Sequence, residues 1–572
     1  MKAVGVTSMR YRTIRRKCSW AADDRRCDLD DTDHEQGLAF SMILRSIGIL
    51  SAAASLLACA HPGVLGATPL AAPGLVTMES GVLQGEIGAG FERFRAVPYA
   101  AAPVGPLRWR RPQPAARWDG VRDATQPGAG CLQSPGATAA PRLSEDCLFL
   151  EVTRPAGVDR GERLPVMVWI HGGGFSTGAG SDYDARRLAI EGRVVVVAVN
   201  YRLGSMGFYS HPNLEDSGLF GLLDQQEALR WVRRNAAAFG GNPANVTVFG
   251  ESAGAMSICA QLVAPGAKGL FDKAILQSGT CLQRWAKSMI WPGAEGFDQF
   301  PALTETAAAG AAAAKTMGCG QPDAITCLRG LSAEVVMKSA GGARPAYGGA
   351  ALPERPATAL VEGRFHRVPL IWGSTRDEWR ASAGIFDKTT PFTAGLYRKF
   401  LTEGFADRAK EVEARYPGSE LGGAVYAWAA VSTDSAWSCP TLESVRAAGR
   451  HAPVYFYQFD DREAPNPAFP VAPDFKLGAA HATELAYLFD LPAGPTLTRE
   501  QRTLASGMIG YWSSFARDGR PSAAGLPTWP AVTGSLETRA LSLKPVPDSI
   551  LIVDVEERHH CAFWRDVAPA VR

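Results

Sequence analysis

A chain of 572 residues, 46% hydrophobic and 20% charged, has an ordinary globular composition with ample apolar material for a large core. Its formal net charge of +2, with no basic stretch interleaved with aromatics, argues against a nucleic-acid partner. No fixed-period repeat is present, and no linker-like break follows residue 70.

The N-terminus reads as a leader. From Met42 come Met-Ile-Leu-Arg, the apolar run Ile47 to Ala58, then small residues. This is a positive n-region, an h-region too short to span a bilayer, and a small-residue cleavage site. Leu65-Gly66-Ala67 is one candidate site. Leu56-Leu57-Ala58-Cys59 also fits a lipobox, which makes Cys59 a candidate lipid anchor; the alternative is a signal peptide that happens to hold a cysteine. Residues 1–41 are charged and patternless, and Met42 is a candidate true start. The expected organisation is an extension and signal peptide over 1–67 and one domain over 68–572, secreted, periplasmic or lipid-anchored to the envelope.

Eleven cysteines fit an oxidising compartment. Cys18, Cys27 and Cys59 fall in the leader. Cys131 and Cys147 flank a Pro/Gly/Ser-rich stretch, Cys319 and Cys327 are close in sequence, and Cys439 and Cys561 are far apart. Cys259 and Cys281 sit in apolar surroundings, where free buried thiols are expected. Connectivity is not fixed by spacing.

From Leu164 onward strands and helices alternate. Pro165 to Ile170 is a continuous apolar run ending in His171-Gly172-Gly173-Gly174, and Arg193 to Val199 is β-branched. Asp224 to Phe239 has helical spacing (Leu229, Val232, Ala236, Phe239), with Gly240-Gly241 as its stop. Short strands are predicted at Val246 to Phe249, Ala274 to Gln277, Val368 to Trp372 and Val454 to Phe459. Ala307 to Lys315 reads as a surface helix, and residues 380–450 as helical decoration over the active-site face. Thr498 to Gln501 reads as a capping box opening a helix toward Arg517, and Ser549 to Val555 as a late strand. This rhythm predicts an α/β fold: a mostly parallel sheet with helices on both faces.

Gly-x-Ser-x-Gly occurs twice, around Ser176 and Ser252. A nucleophile elbow needs a strand ending at the turn, a helix starting just after it, and small flanking residues. Residues 246–249 supply the strand, and Ala255 to Leu262 a helix-compatible run. Ser176 sits in a loop, so Ser252 is the candidate nucleophile. The helix that follows points its N-terminal amides at a developing oxyanion, with Ala253 as one donor. The glycines after His171 let the amides of Gly173 and Gly174 complete a three-donor hole. The glycines do not give G-x-G-x-x-G and no G-K-[ST] follows, so nucleotide binding is disfavoured. His171 precedes the serine, the wrong order for a base, and is read as an orienting residue. Of the downstream histidines, His451 lies before a strand, and His481 on the long loop after it. His559 and His560 follow the late strand; they are the runners-up for the base and are otherwise read as surface residues. His481 is thus the candidate base. The acid should follow the strand at 368–372; position does not choose between Asp377 and Glu378.

These residues resemble the type-B carboxylesterases, the family of cholinesterases, bacterial para-nitrobenzyl esterases and the non-catalytic neuroligins. The resemblance runs from about Gly81 to Arg565. It is carried by Phe94-Arg95-Ala96-Val97-Pro98-Tyr99, Pro103 to Arg108, Ser144-Glu145-Asp146-Cys147-Leu148, Val168 to Phe175, Asn200 to Gly204, Gly250 to Gly254 and Ala274 to Gly279. It implies an α/β-hydrolase catalytic domain over 68–572, with helical insertions over the active site. The implied activity is hydrolysis of small-molecule carboxylic esters through an acyl-enzyme. A lipase or large-ester enzyme, and more remotely a neuroligin-like binding module, are the alternatives. It implies Glu378 as the acid, and His481 as the base because Glu484 and Phe489 stand at the family's spacing. Ser278 and Glu251 fall at supporting positions, and Arg108 with Glu145 at a structural ion pair. Disulfides Cys131–Cys147, Cys319–Cys327 and Cys439–Cys561 are implied too. No cofactor and no metal are expected. Two departures stand out. Trp379 replaces the family's usual glycine after the acid. The short Cys131–Cys147 loop lacks the tryptophan that binds choline in cholinesterases, which argues against a quaternary-ammonium substrate.

Overall fold

The continuous apolar runs of the sequence become strands buried on both faces, which is what a sheet covered by helices on both sides requires. The computed structural model describes residues 73–567, without 159–160, 321, 340–343, 468, 493–495, 533, 536–537 and 546–550. The leader read at 1–67, with Met42 and Cys59, lies outside the described residues.

Fourteen strands form the main sheet. They are β1 (Leu75–Met78), β2 (Gly81–Gly88), β3 (Phe91–Pro98), β4 (Val121–Ala124), β5 (Phe149–Pro155), β6 (Leu164–Ile170) and β7 (Val195–Val199). Then come β8 (Gly241–Glu251), β9 (Lys273–Gln277), β10 (Leu370–Thr375), β11 (Val454–Phe459), β12 (Ala531–Val532), β13 (Ala540–Leu543) and β14 (Ile552–Val553). Their spatial order is β1-β2-β3-β5-β7-β6-β8-β9-β10-β11-β13-β14, with β4 beside β2 and β12 beside β11. Neighbours from β7 to β13 run parallel. The edge from β1 to β7 is antiparallel. The fold is the α/β-hydrolase fold.

Side-chain alternation splits the core into two layers. On β6, Val166, Val168 and Ile170 join one layer, Met167 and Trp169 the other. Helices α1 (Phe220–Asn235) and α2 (Ala253–Val263) cover the first through Leu229, Val232, Ile258 and Leu262. Five further helices matter below: α3 (Leu303–Thr316), α4 (Arg380–Thr389), α5 (Ala424–Thr433), α6 (Cys439–Gly449) and α7 (Arg499–Asp518). Helix α7 closes the second layer with Leu504, Trp512 and Phe515. Fully burying one such aliphatic or aromatic side chain contributes about 1.5–3 kcal/mol, so the two layers dominate the fold's stability.

Local signals held where they were self-contained. Thr498 accepts from Gln501 N and Gln501 reaches back, opening α7 as a capping box. Helix α1 starts at Phe220, four residues before the periodicity suggested; a 3-10 turn, Ala236–Phe239, extends it, and Gly240 at φ 77° ends it. The late strand shrinks to Ile552–Val553, antiparallel to β13, because the helix Val555–Arg558 begins at once. Residues 380–450 are largely helical, and a π-helical turn, Asp434–Ser438, joins α5 to α6.

Two expectations are corrected. Cys259 and Cys281 are not free thiols but a disulfide, Cα–Cα 5.6 Å. Cys259 lies on α2, and the chain leaving β9 turns back at Ser278 to carry Cys281 against that helix. His559 is not a surface residue: it is buried, its Nδ1 is 2.5 Å from Asp434 Oδ1 and its Nε2 2.7 Å from Gln458. The short helix before it turns the ring inward onto the π-turn. Cys131–Cys147, Cys319–Cys327 and Cys439–Cys561 are also joined. Arg108 grips Glu145 with two bonds of 2.7 and 2.6 Å.

Candidate active site

Strand β8 ends at Glu251 and α2 begins at Ala253, leaving Ser252 alone on the corner at φ 56°, ψ −123°. A non-glycine residue in that region costs on the order of 1–3 kcal/mol and persists only where its surroundings over-determine it. Here they do. Ser252 N donates to Gln277 O at 3.0 Å. A Cβ on Gly250 or Gly254 would lie 2.5 or 1.9 Å from Ile170 O, so only glycine lets β8 and α2 approach β6 this closely. Ser176, the other Gly-x-Ser-x-Gly serine, is exposed in a loop and donates to Gly174 O.

The glycine loop after β6 lies against this corner. A Cβ on Gly172 would meet Glu251 Oε2 at 2.7 Å and Ser252 Cβ at 3.0 Å. Gly173 and Gly174 take φ 98° and 61°, and both are exposed. His171 anchors the loop: its Nδ1 donates to Gly172 O at 2.8 Å and its ring stacks on Tyr201, whose hydroxyl donates to His171 O. Burial pushes the His171 pKa down.

His481 lies on the loop after β11. Its Nδ1 donates to Glu378 Oε2 at 2.6 Å, and its backbone N to Glu378 O at 3.1 Å. Glu378 is fully buried on the loop after β10, and its Oε1 accepts from Thr375 N at 2.8 Å. The neighbouring Asp377 turns elsewhere: it pairs with Arg462 and Arg380 and accepts from Ala479 N. His451 packs against Phe365 and Gly363.

The other imidazole nitrogen faces a carboxylate to which it is not hydrogen-bonded. His481 Nε2 lies 3.0 Å from Glu251 Oε1, and no hydrogen bond joins it to Ser252 Oγ among the described residues. Glu484 is buried beside them and accepts from Gln277 Nε2. The electrostatics follow from one imidazole sharing a dry space with three carboxyls. Burial pulls the His481 pKa down, but Glu251 and Glu378 outweigh it and leave it at about 9. Burial lifts Glu251 to about 7 against the pull of His481. Burial and the charges of Glu251 and Glu378 lift Glu484 to about 8. Ser278 is buried at φ 48°, with its N bonded to Gly373 O and its Oγ unpartnered.

Sequence reasoning missed one neighbour. Trp437, on the π-turn, sets its ring 4.5 Å from that of His481. No motif surrounds it; its only signal is a tryptophan within an apolar helical stretch.

A serine on a strained strand-to-helix corner of a mostly parallel sheet, with a histidine–glutamate couple on loops after later strands, is the arrangement of the α/β-hydrolases. Within that class the chain belongs to the carboxylesterase family, whose model matches residues 72–564. A para-nitrobenzyl esterase of Bacillus subtilis (strain 168) is 36% identical over 489 residues, 80% of this chain and 92% of that protein. A cocaine esterase of Homo sapiens is 34% identical over 519 residues, 84% of this chain and 88% of its own. Two solved esterase structures align: a PNB esterase at TM-score 0.67 and 33% identity, and a thermophilic one at 0.69 and 32%, each covering 85% of this chain and 99% of that chain. The protein is a carboxylic ester hydrolase. Among the described residues no helix is long and apolar enough to cross a membrane.

Proposed function

We propose that Ser252, His481 and Glu378 are the triad of this esterase. The observation that carries the assignment is the 2.6 Å bond from His481 Nδ1 to Glu378, on the same buried cluster as the strained Ser252 corner. His481 Nε2 leaves Glu251 and takes the proton of Ser252 Oγ as that oxygen attacks the ester carbonyl. The amides of Gly173, Gly174 and Ala253 hold the oxyanion. The imidazolium then protonates the departing alcohol oxygen. Water, deprotonated by His481, hydrolyses the acyl-enzyme. Glu378 fixes the Nδ1–H tautomer throughout. Glu251 supports the charged ring, and Ser278 steadies the acid's strand through its bond to Gly373. No step calls for a cofactor.

Ser252→Ala should lower kcat on phenyl acetate by about 10⁶-fold and abolish fluorophosphonate labelling. Turnover near that of the parent would overturn the assignment.

The finer location is also a proposal: residues 1–67 are an export leader, cleaved after Ala67 or lipidated at Cys59, and 68–572 form one catalytic domain. Four disulfides among the described residues support an oxidising destination. A mature N-terminus upstream of Cys59 would refute it.

A further inference from the structure

Three tryptophans fill the space beside the imidazole. Trp437 lies across His481, and Trp379 stacks on Trp437 at 6.2 Å and 28°. Trp285 closes the group, 4.6 Å from Trp379 and 5.8 Å from Trp437. They come from three separated segments: the stretch after β9, the residue following Glu378, and the π-turn. All are nearly sealed from solvent, at 4%, 7% and 3% exposure for Trp285, Trp379 and Trp437. Trp285 also lines a cleft of about 930 Å³, together with Arg284, Arg344, Phe405 and Ser435. The indole group that packs on His481 therefore borders a large open volume through Trp285.

Two features of this layer matter. The indole N–H groups of Trp379 and Trp437 are buried with no acceptor. A buried donor without a partner costs free energy, here as at Trp169, Trp231 and Trp428 elsewhere in the core. Trp379 is also tied to the acid. It directly follows Glu378, and its backbone N is fixed by Thr433 Oγ1 at 3.0 Å. The bulk of its ring is thereby held where a smaller residue would leave a gap between Trp437 and Trp285.

We propose that Trp379, backed by Trp285 and Trp437, is the specificity-determining wall for the alcohol portion of the ester, and that it confines the enzyme to esters of small or flat alcohols. The inference rests on the triad assigned above. Its direction comes from proton bookkeeping at one atom. The leaving alcohol oxygen must receive its proton from His481 Nε2, and Trp437 lies across that ring. The group attached to that oxygen thus meets the indole wall, whereas the acyl group remains on Ser252.

The test uses the whole enzyme and three probes: phenyl acetate, diphenylmethyl acetate and phenyl hexanoate. Trp379→Gly should raise kcat/KM for diphenylmethyl acetate relative to phenyl acetate by roughly tenfold or more, the scale on which pocket volume discriminates. The phenyl hexanoate to phenyl acetate ratio should stay put. Trp379→Phe keeps a ring and the fold while trimming the wall; it should move the first ratio the same way by less. A flat diphenylmethyl ratio in both variants, each confirmed folded by fluorophosphonate labelling, overturns the proposal. So does a change confined to the hexanoate ratio. Failure of the triad would show separately, as phenyl acetate turnover that survives Ser252→Ala.

Discussion

The two halves of the proposed catalytic cluster are held by different means. At Ser252 the constraint is backbone: a strand end, a helix start, a bond from its own N to Gln277 O, and glycines where any Cβ would strike Ile170 O. At His481 it is side chains: Glu378 on Nδ1, Glu251 beside Nε2 and Trp437 against the ring. The Ser252 corner is accordingly set by packing and should respond to sterics. His481, the proposed base, is set by charge and should respond to pH. The lesson is that neighbouring parts of one cluster can be fixed by different physical means, backbone packing at Ser252 and side-chain charge at His481.

The sharpest way to break this contrast is at the acid. Both neighbours of the Glu378 carboxylate, Thr375 N–H and His481 Nδ1–H, are donors. A glutamine can accept at only one end, and its NH₂ facing Nδ1 would force the wrong tautomer. Glu378→Gln should cost about 10⁴-fold in kcat with the fold intact, read by steady-state kinetics and circular dichroism. A loss of only a few-fold would mean that the base, like the nucleophile, is positioned by backbone.

A smaller effect is expected from the backbone side. A Cβ on Gly173 would sit 2.3 Å from Thr177 O, so Gly173→Ala must shift the loop and its amide. About 10²–10³-fold should be lost from kcat with KM little changed, the usual cost of one oxyanion donor. A loss in KM alone would remove that amide from the hole.

The mildest change sharpens the charge argument. A negative charge favours the imidazolium, so removing it lowers the His481 pKa from about 9. Activity rises as pH climbs through that pKa and frees the base. Glu251→Gln should therefore move the acid limb of kcat/KM down by about one pH unit or more. A limb that stays, or moves up, would show that Glu251 does not face the base in the working enzyme.

What the sequence disclosed divides along the same line. The parallel strands, the Ser252 elbow and the α7 capping box are local patterns, each carried within a dozen residues. The choice of Glu378 over Asp377 was beyond position alone, because adjacent carboxyls differ only in which way the loop turns them. Resemblance to the carboxylesterases implied it; in the structure Glu378 bonds His481 while Asp377 pairs with Arg462. The Cys259–Cys281 bond, the burial of His559 and the place of Trp437 were illegible for one reason. Each depends on segments far apart in the chain meeting in space, and none carries a local pattern.

The Cys439–Cys561 bridge closes a covalent ring spanning 122 positions. The ring contains His481, and its clasp lies two residues from Trp437. Ser252 and Glu378 are outside it. A proteolytic nick anywhere inside the ring would leave both pieces tethered through sulfur at the edge of the catalytic cluster. The histidine could then be severed from the nucleophile along the backbone, on one side, without drifting away from it.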